Sequence, residues 1–417
     1  MGFLFHPPVV TLTQTDPDQG AAQTHPGMTD LVIITDPRFM GGTAAAVVTD
    51  IRALAAYGLR VGLCLHRSEG FFQPGDGVNP ALEALCDLEG VTRVSAGAPI
   101  RAQAALFHNP QVFQSATGHA PRIAAERAFM IAHHPPILGN GALCYDPLQV
   151  TRAIRRDFGL RPDWVPISGL LRAQLESFAP LIRITPEDWP NSFDTATWRP
   201  TRPRLTGPVL TIGRHGRAHP DKWPARGRDI AASLPADAQT RVRVLGADPA
   251  FFARHGVDTS AWDILPFNAE PVRDFLDSLD VFSYFHAPIW REAFGRTVAE
   301  AMLMETRCIL DQSLRPTFGP HALYGRPDEV PALIAHIRAH PDQHRTPAKD
   351  AGDWCRQSFS AQDIAARYQR LLATPATRGR PAQGEMPPHI LARKWLGFHR
   401  RRRASTAATA PQTGADR

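Results

Sequence analysis

Between residues 30 and 66 the chain reads DLVIITD, then a loop PRFMGG, the stretch TAAAVVTDIRALAAYG, and RVGLCLH. The two outer runs are short and almost wholly apolar, the signature of strands buried on both faces. Between them Val47, Val48, Ile51, Leu54 and Ala55 recur at helical spacing, and Gly58 closes the helix. Parallel strands cannot be joined by a tight turn, and an intervening helix is their usual connection. The segment is therefore read as strand, glycine loop, helix, strand: one unit of an α/β fold built on a parallel sheet.

The pattern continues through AALFH (104–108), FMIAHH (129–134), WVPIS (164–168) and LIRIT (181–185), all read as strands. A Pro- and Trp-rich stretch over 187–207 interrupts it as a linker. A second αβ series then starts at VLTIGR (209–214) and runs through RVRVLGAD, DILPF, PVRDFLDSL, DVFSYF and RCIL. A chain of 417 residues is too long for a single core, so two α/β domains are expected. Strand ends and helix starts from both halves then face a central cleft, where a large bipartite ligand would sit.

The expected boundaries are a disordered leader over 1–28, with Met28 as an alternative start, and an N-terminal domain over 29–195. A C-terminal domain follows over 205–352, then a helix over 353–373 packing back toward the N-terminal half, and a basic tail over 374–417. Within that helix, SAQDIAARYQRLLA (360–373) begins with Ser360 and Asp363 in a capping-box pattern. The tail carries nine Arg/Lys and two acids, so of the net +6 it contributes +7 and the body is close to neutral. That distribution argues against nucleic acid as a partner. Within the tail, HILARKWLGFHRRRR interleaves apolar and basic residues and reads either as disordered or as lying on an anionic membrane surface. The first 20 residues lack the basic and long apolar regions of a signal peptide, and five scattered cysteines form no CxxC pair. A cytoplasmic protein, in part peripheral on the inner membrane face, is expected.

The densest chemistry lies in REAFGRTVAEAM (291–302). Two carboxylates, Glu292 and Glu300, bracket a turn glycine, Gly295, that opens a helix whose free N–H groups suit phosphate. The stretch resembles the E-x7-E signature, usually E-G-F-G-x-x-x-x-E-A-M, of the GT-B retaining glycosyltransferases of glycosyltransferase family 4 (glycosyl transferases group 1), with Ala293 in place of a glycine. The resemblance covers about residues 30–373. It implies the GT-B fold, two Rossmann-like domains facing a central cleft, and a retaining, metal-independent hexosyltransferase. Such an enzyme moves a sugar from a nucleoside-diphosphate donor to a glycan or lipid-linked acceptor, in surface polysaccharide or glycoconjugate synthesis, with no cofactor.

By the same resemblance Glu300 holds the ribose hydroxyls, Glu292 the donor sugar, and Thr297 and Val298 face the diphosphate, with Phe294 and Gly295 also in the donor-binding site. In TIGRHGRAHPDKW, Arg214 and Lys222 match the family's diphosphate-gripping cations. The longer gap and the Trp223-Pro224 after Lys222 admit Arg217 as a substitute. Gly41 and Gly42 match the family's glycine pair in the first strand–helix turn. His108 is taken, by strand order, as the histidine near the anomeric carbon, with His134 next. Asp16 and Asp18 have DxD spacing but sit in a polar leader, and no metal is expected; GNGAL at 139–143 is too short for a dinucleotide fingerprint. The alternatives are a nucleotide-sugar epimerase of the same fold or an inactive nucleotide-sugar-binding paralogue.

Overall fold

The computed structural model describes residues 29–73, 75–95, 99–114, 120–217, 219–378 and 384–409, with side chains to residue 402. The expected leader, with Asp16 and Asp18, lies outside the described residues. In the N-terminal half, β1 (Thr29–Thr35), β2 (Val61–Leu65), β3 (Val91–Arg93), β4 (Ile100–His108), β5 (Ile123–Ala132) and β6 (Asp163–Pro166) form one sheet. In the C-terminal half the strands are β7 (Leu210–His215), β8 (Thr240–Leu245), β9 (Trp262–Leu265), β10 (Val281–Tyr284), β11 (Arg307–Asp311) and β12 (Leu323–Gly325).

The sheet orders are β3-β2-β1-β4-β5-β6 and β12-β11-β10-β7-β8-β9. Every pairing in both is parallel. Read from opposite ends, the two sheets have the same doubly wound order, which reverses between β1 and β4 and between β7 and β10. Ligands of such sheets bind at the carboxyl ends of the strands beside that reversal. The strand runs carry no alternation because both faces are covered: Leu31, Val32, Ile33 and Ile34 are all fully buried.

Three expectations change. LIRIT is not a strand. Ile184 alone bridges Trp164 on one side and Thr377 on the other, where Pro180 and Pro186 leave no room for a longer ladder. The helix expected over 353–373 is two helices, Pro341–Ser358 and Ile364–Ala373, broken at Phe359-Ser360. The second does contact the N-terminal half: the Tyr368 hydroxyl donates to the Asp30 carbonyl (2.8 Å).

The third change concerns the tail, which holds a helix, Pro388–Thr409, docked on the N-terminal half rather than a disordered segment. Leu391 is buried, and the Trp395 Nε1 and His399 Nε2 atoms both reach Asp146 Oδ2, at 2.9 and 2.8 Å. Leu391, Trp395, Phe398 and Arg402 face inward, while His389, Arg393, Leu396 and Arg400 share the outward face. The apolar residues thus cover protein surface, and the helix gains the burial that a solvated tail lacks. Among the described residues, no helix is long and apolar enough to cross a membrane.

Candidate active site in the interdomain cleft

Glu292 follows β10 in a loop that the N-terminal half holds directly. Gly139 N–H donates to Ile289 O (2.9 Å), and Ser168 Oγ donates to Ala293 O (2.5 Å). The approach is close: a Cβ on Gly139 would stand 1.8 Å from Pro288 O, so only glycine fits. Three donors converge on Glu292 Oε2: Tyr284 Oη at 2.5 Å, Trp290 Nε1 at 3.1 Å and Lys222 Nζ at 3.4 Å. Burial alone would raise this carboxyl, but the Lys222 charge and the two hydrogen bonds overcome it and hold the pKa at about 2.

Arg214 does not sit where a diphosphate-gripping residue should. Its guanidinium is buried between the rings of Trp223 (4.0 Å) and Tyr284 (4.5 Å). It donates to the carbonyls of Phe285 (2.8 Å) and Lys222 (2.6 Å). Burial draws its pKa down to about 10, against the opposing pull of Tyr284 and Glu292. Arg214 thus anchors the backbone of the Lys222 loop. The exposed cation is Arg217, whose guanidinium carbon lies 3.3 Å from where a Cβ on Gly41 would be. It spans the cleft to the start of the helix Gly42–Ala56, which has no side-chain cap. Gly41 adopts φ +73, and Gly42 is open to solvent.

The histidines also reverse the expected order. His108 ends β4 but is fully buried, 2.9 Å from His133, with its Nε2 unpartnered among the described residues. His134, one residue further round the next loop, is partly exposed. Asn109 Oδ1 accepts from Gln111 N–H, so its amide nitrogen is the atom 3.1 Å from His134 Nδ1. A neutral His134 accepting that bond carries its proton on Nε2. Burial takes its pKa down to about 4, with Arg217 adding and Glu292 opposing, so its charged neighbours lie across the cleft. His108 cannot touch a ligand in this arrangement; His134 can.

In the helix Arg296–Leu303, Gly295 is the N-cap at φ +86, with the Phe318 ring 3.0 Å from a Cβ position. Phe294 and Val298 are core residues, not ligand contacts: the Phe294 ring packs 5.0 Å from that of Phe359, and the Val298 N–H is taken by Gly295 O. Thr297 is half-buried at the helix start. Glu300 is buried; its Oε1 lies 3.0 Å from Arg296 Nε, and its Oε2 lies 3.3 Å from His215 Nε2, poorly aligned for a hydrogen bond. Burial would raise its pKa, but His215 and Arg296 together lower it. Sequence reasoning missed Tyr284, Trp290, His215 and Arg296. Only Arg296 left a signal, as a cation four residues before Glu300.

Two parallel doubly wound sheets facing a cleft define the GT-B fold. The solved structures of similar shape agree. Anabaena HepE in complex with UDP-glucose matches with 13% identity over 83% of this chain and 99% of that one, at a TM-score of 0.56. HepE with UDP matches at 0.58, with 13% identity over 82% and 99%. A glycosyltransferase from Rickettsia africae matches at 0.57, with 11% identity over 83% and 98%. Similarity at this identity is a likeness of fold. No family model matches the chain, and no curated protein matches it either.

Proposed function

We propose that the protein is a retaining glycosyltransferase that takes a hexosyl group from a nucleoside-diphosphate sugar. The observation that carries this reading is the partly buried, ionised Glu292 at the reversal point of the C-terminal sheet, with Lys222 beside it, His134 opposite, and Arg217 reaching from the same half toward Gly41. A carboxylate whose Oε2 is already held by three donors keeps Oε1 as an acceptor for donor-sugar hydroxyls. Lys222 and Arg217 supply positive charge where a leaving diphosphate gains negative charge, and the uncapped start of the helix at Gly41-Gly42 adds backbone N–H groups. Glu300 takes the ribose. The bond from the anomeric carbon to phosphate breaks as the acceptor oxygen bonds on the same face, and the acceptor's proton passes to the leaving phosphate oxygen. His134, as the Nε2–H tautomer, donates to a donor-sugar hydroxyl near that carbon. The site in this reading comprises Glu292, Lys222, Arg217, His134, Glu300, Thr297 and the Gly41-Gly42 turn, with Arg214 acting through Lys222.

A thermal-shift screen of UDP, GDP and ADP tests it. UDP comes first, since HepE was crystallised with UDP and UDP-glucose. A nucleotide at a hundred times its dissociation constant should stabilise the fold by about 2.7 kcal/mol. Glu300→Ala should abolish the shift; no shift with any of the three in folded wild type overturns the reading.

The acceptor is proposed to be a glycan or lipid-linked sugar in surface polysaccharide synthesis. The outward face of the terminal helix, with His389, Arg393 and Arg400 beside Leu396, supports contact with an anionic leaflet. Sedimentation with vesicles of anionic phospholipid should carry the protein down at low salt and release it at high salt. Arg393→Glu with Arg400→Glu should leave it in the supernatant; equal sedimentation of that variant rules the surface out.

A further inference from the structure

The chain crosses between the two halves twice, near Phe193 and near Phe359-Ser360, and the crossings are zipped together. Phe193 N–H donates to Phe359 O, and Ala361 N–H donates to Phe193 O, each at 2.8 Å. The motif loop sits on this link. The Phe294 ring is 5.0 Å from that of Phe359 and 6.3 Å from that of Phe193. The Arg296 guanidinium stacks 4.3 Å over the Phe193 ring, and its Nη1 donates to Ser192 O at 3.4 Å, while its Nε holds Glu300 Oε1 at 3.0 Å. From the other side Arg367 Nη1 fixes the same stretch, donating to Pro190 O (3.0 Å) and Ser192 Oγ (3.1 Å).

We infer that Arg296 is a positioning residue that ties Glu300 to the crossing segments, so that occupation of the nucleotide site and the arrangement of the two halves depend on each other. The inference rests on the nucleotide-sugar reading above. An arginine is suited to the place: its planar head stacks on a ring and still offers donors in two directions, which a lysine cannot do. A carboxylate held on one oxygen presents its other lone pairs in a fixed direction, and a ligand bonding to Glu300 also bears on Arg296 and hence on Ser192 and Phe193. Among the described residues, Arg296 bridges Glu300 and the crossing with no hydrogen bond or ion pair to Glu292 or Lys222. Its loss therefore leaves the donor-sugar end of the cleft intact.

Calorimetric titration with UDP, GDP and ADP, and hydrogen exchange read on peptides spanning 188–197 and 357–363, test this on the full chain. For whichever nucleotide binds wild type, Arg296→Leu should weaken affinity about tenfold, the scale of one hydrogen bond to a charged group. Arg296→Lys should recover part of it. Nucleotide should slow exchange in both peptides of wild type, and that slowing should vanish in Arg296→Leu at saturating nucleotide. Wild-type affinity and an unchanged exchange response in a folded Arg296→Leu overturn the inference. If Glu300→Gln loses nucleotide and Arg296→Leu does not, the inference fails alone; if wild type binds none of the three, the nucleotide-sugar reading fails with it.

Discussion

Glu292→Gln is expected to lower kcat/KM for donor turnover by about a hundred- to a thousandfold, the range seen when one preorganised polar contact to a reacting centre is lost. The amide keeps the shape but not the chemistry. With its oxygen in the Oε2 place the amide still meets Tyr284, Trp290 and Lys222, but its NH2 group then stands where Oε1 accepts from donor-sugar hydroxyls. The Lys222 ammonium then loses its counter-charge beside the leaving group. A stability cost of about 1–3 kcal/mol should accompany this, as charge-assisted hydrogen bonds become neutral ones. The pH dependence fixes the sign. The carboxyl sits near 2 in the folded protein, below its ordinary 4.5, so its contribution is complete above pH 4.5 and is lost as pH falls toward 2. Glu292→Gln should therefore flatten the acid limb of a stability curve only below 4.5. Steady-state kinetics on a variant with a wild-type circular dichroism spectrum decides the matter. Activity within a factor of about two of wild type would remove Glu292 from the chemistry.

The second large effect is acid lability that begins well above the carboxylate range. Burial holds His108 down to about 3 and His134 to about 4, and pushes His133 well below its ordinary value. Burial brings His344 to about 4, with Arg307, His336 and His340 adding to it. A folded pKa below the unfolded 6.5 means that the unfolded chain binds more protons between those values. Stability must then fall as pH drops through 6.5. Each such group contributes a slope of about 1.4 kcal/mol per pH unit once the unfolded form is fully protonated. Melting temperature should thus drop steeply from pH 7 to pH 5, and the drop should be shallower in His108→Gln. A flat profile over that range would mean that these rings take up protons in the folded state.

Much of this could be read from residue order. The strand–loop–helix units at 30–66 and from 209 onward, the turn at Gly295 with Glu292 and Glu300 on either side, and the linker near 190 are local patterns. Each has a local cause: period, φ at glycine, proline content. The strand at 181–185 was misread because an apolar run bounded by prolines looks the same whether it pairs along its length or at one residue. The docking of the terminal helix leaves no sign in the sequence, because a basic amphipathic run does not say what its apolar face meets; here Asp146, 249 residues away from Trp395, supplies the anchor.

What the sequence alone determined, then, is the architecture and the position of the cleft. Parallel strands with helical crossovers, twice over, leave their carboxyl ends facing one another, and the polar residues after those strands must gather there. Which of those residues meet the cleft was decided only by the tertiary structure. Strands covered on both faces carry no alternation, so nothing local distinguishes the inward His108 from the outward His134. Likewise, Arg214 reads as a free cation until the rings of Trp223 and Tyr284 close over it and two carbonyls accept its hydrogen bonds. A charge near a strand end shows its type in the sequence; its exposure depends on partners that arrive from elsewhere in the chain.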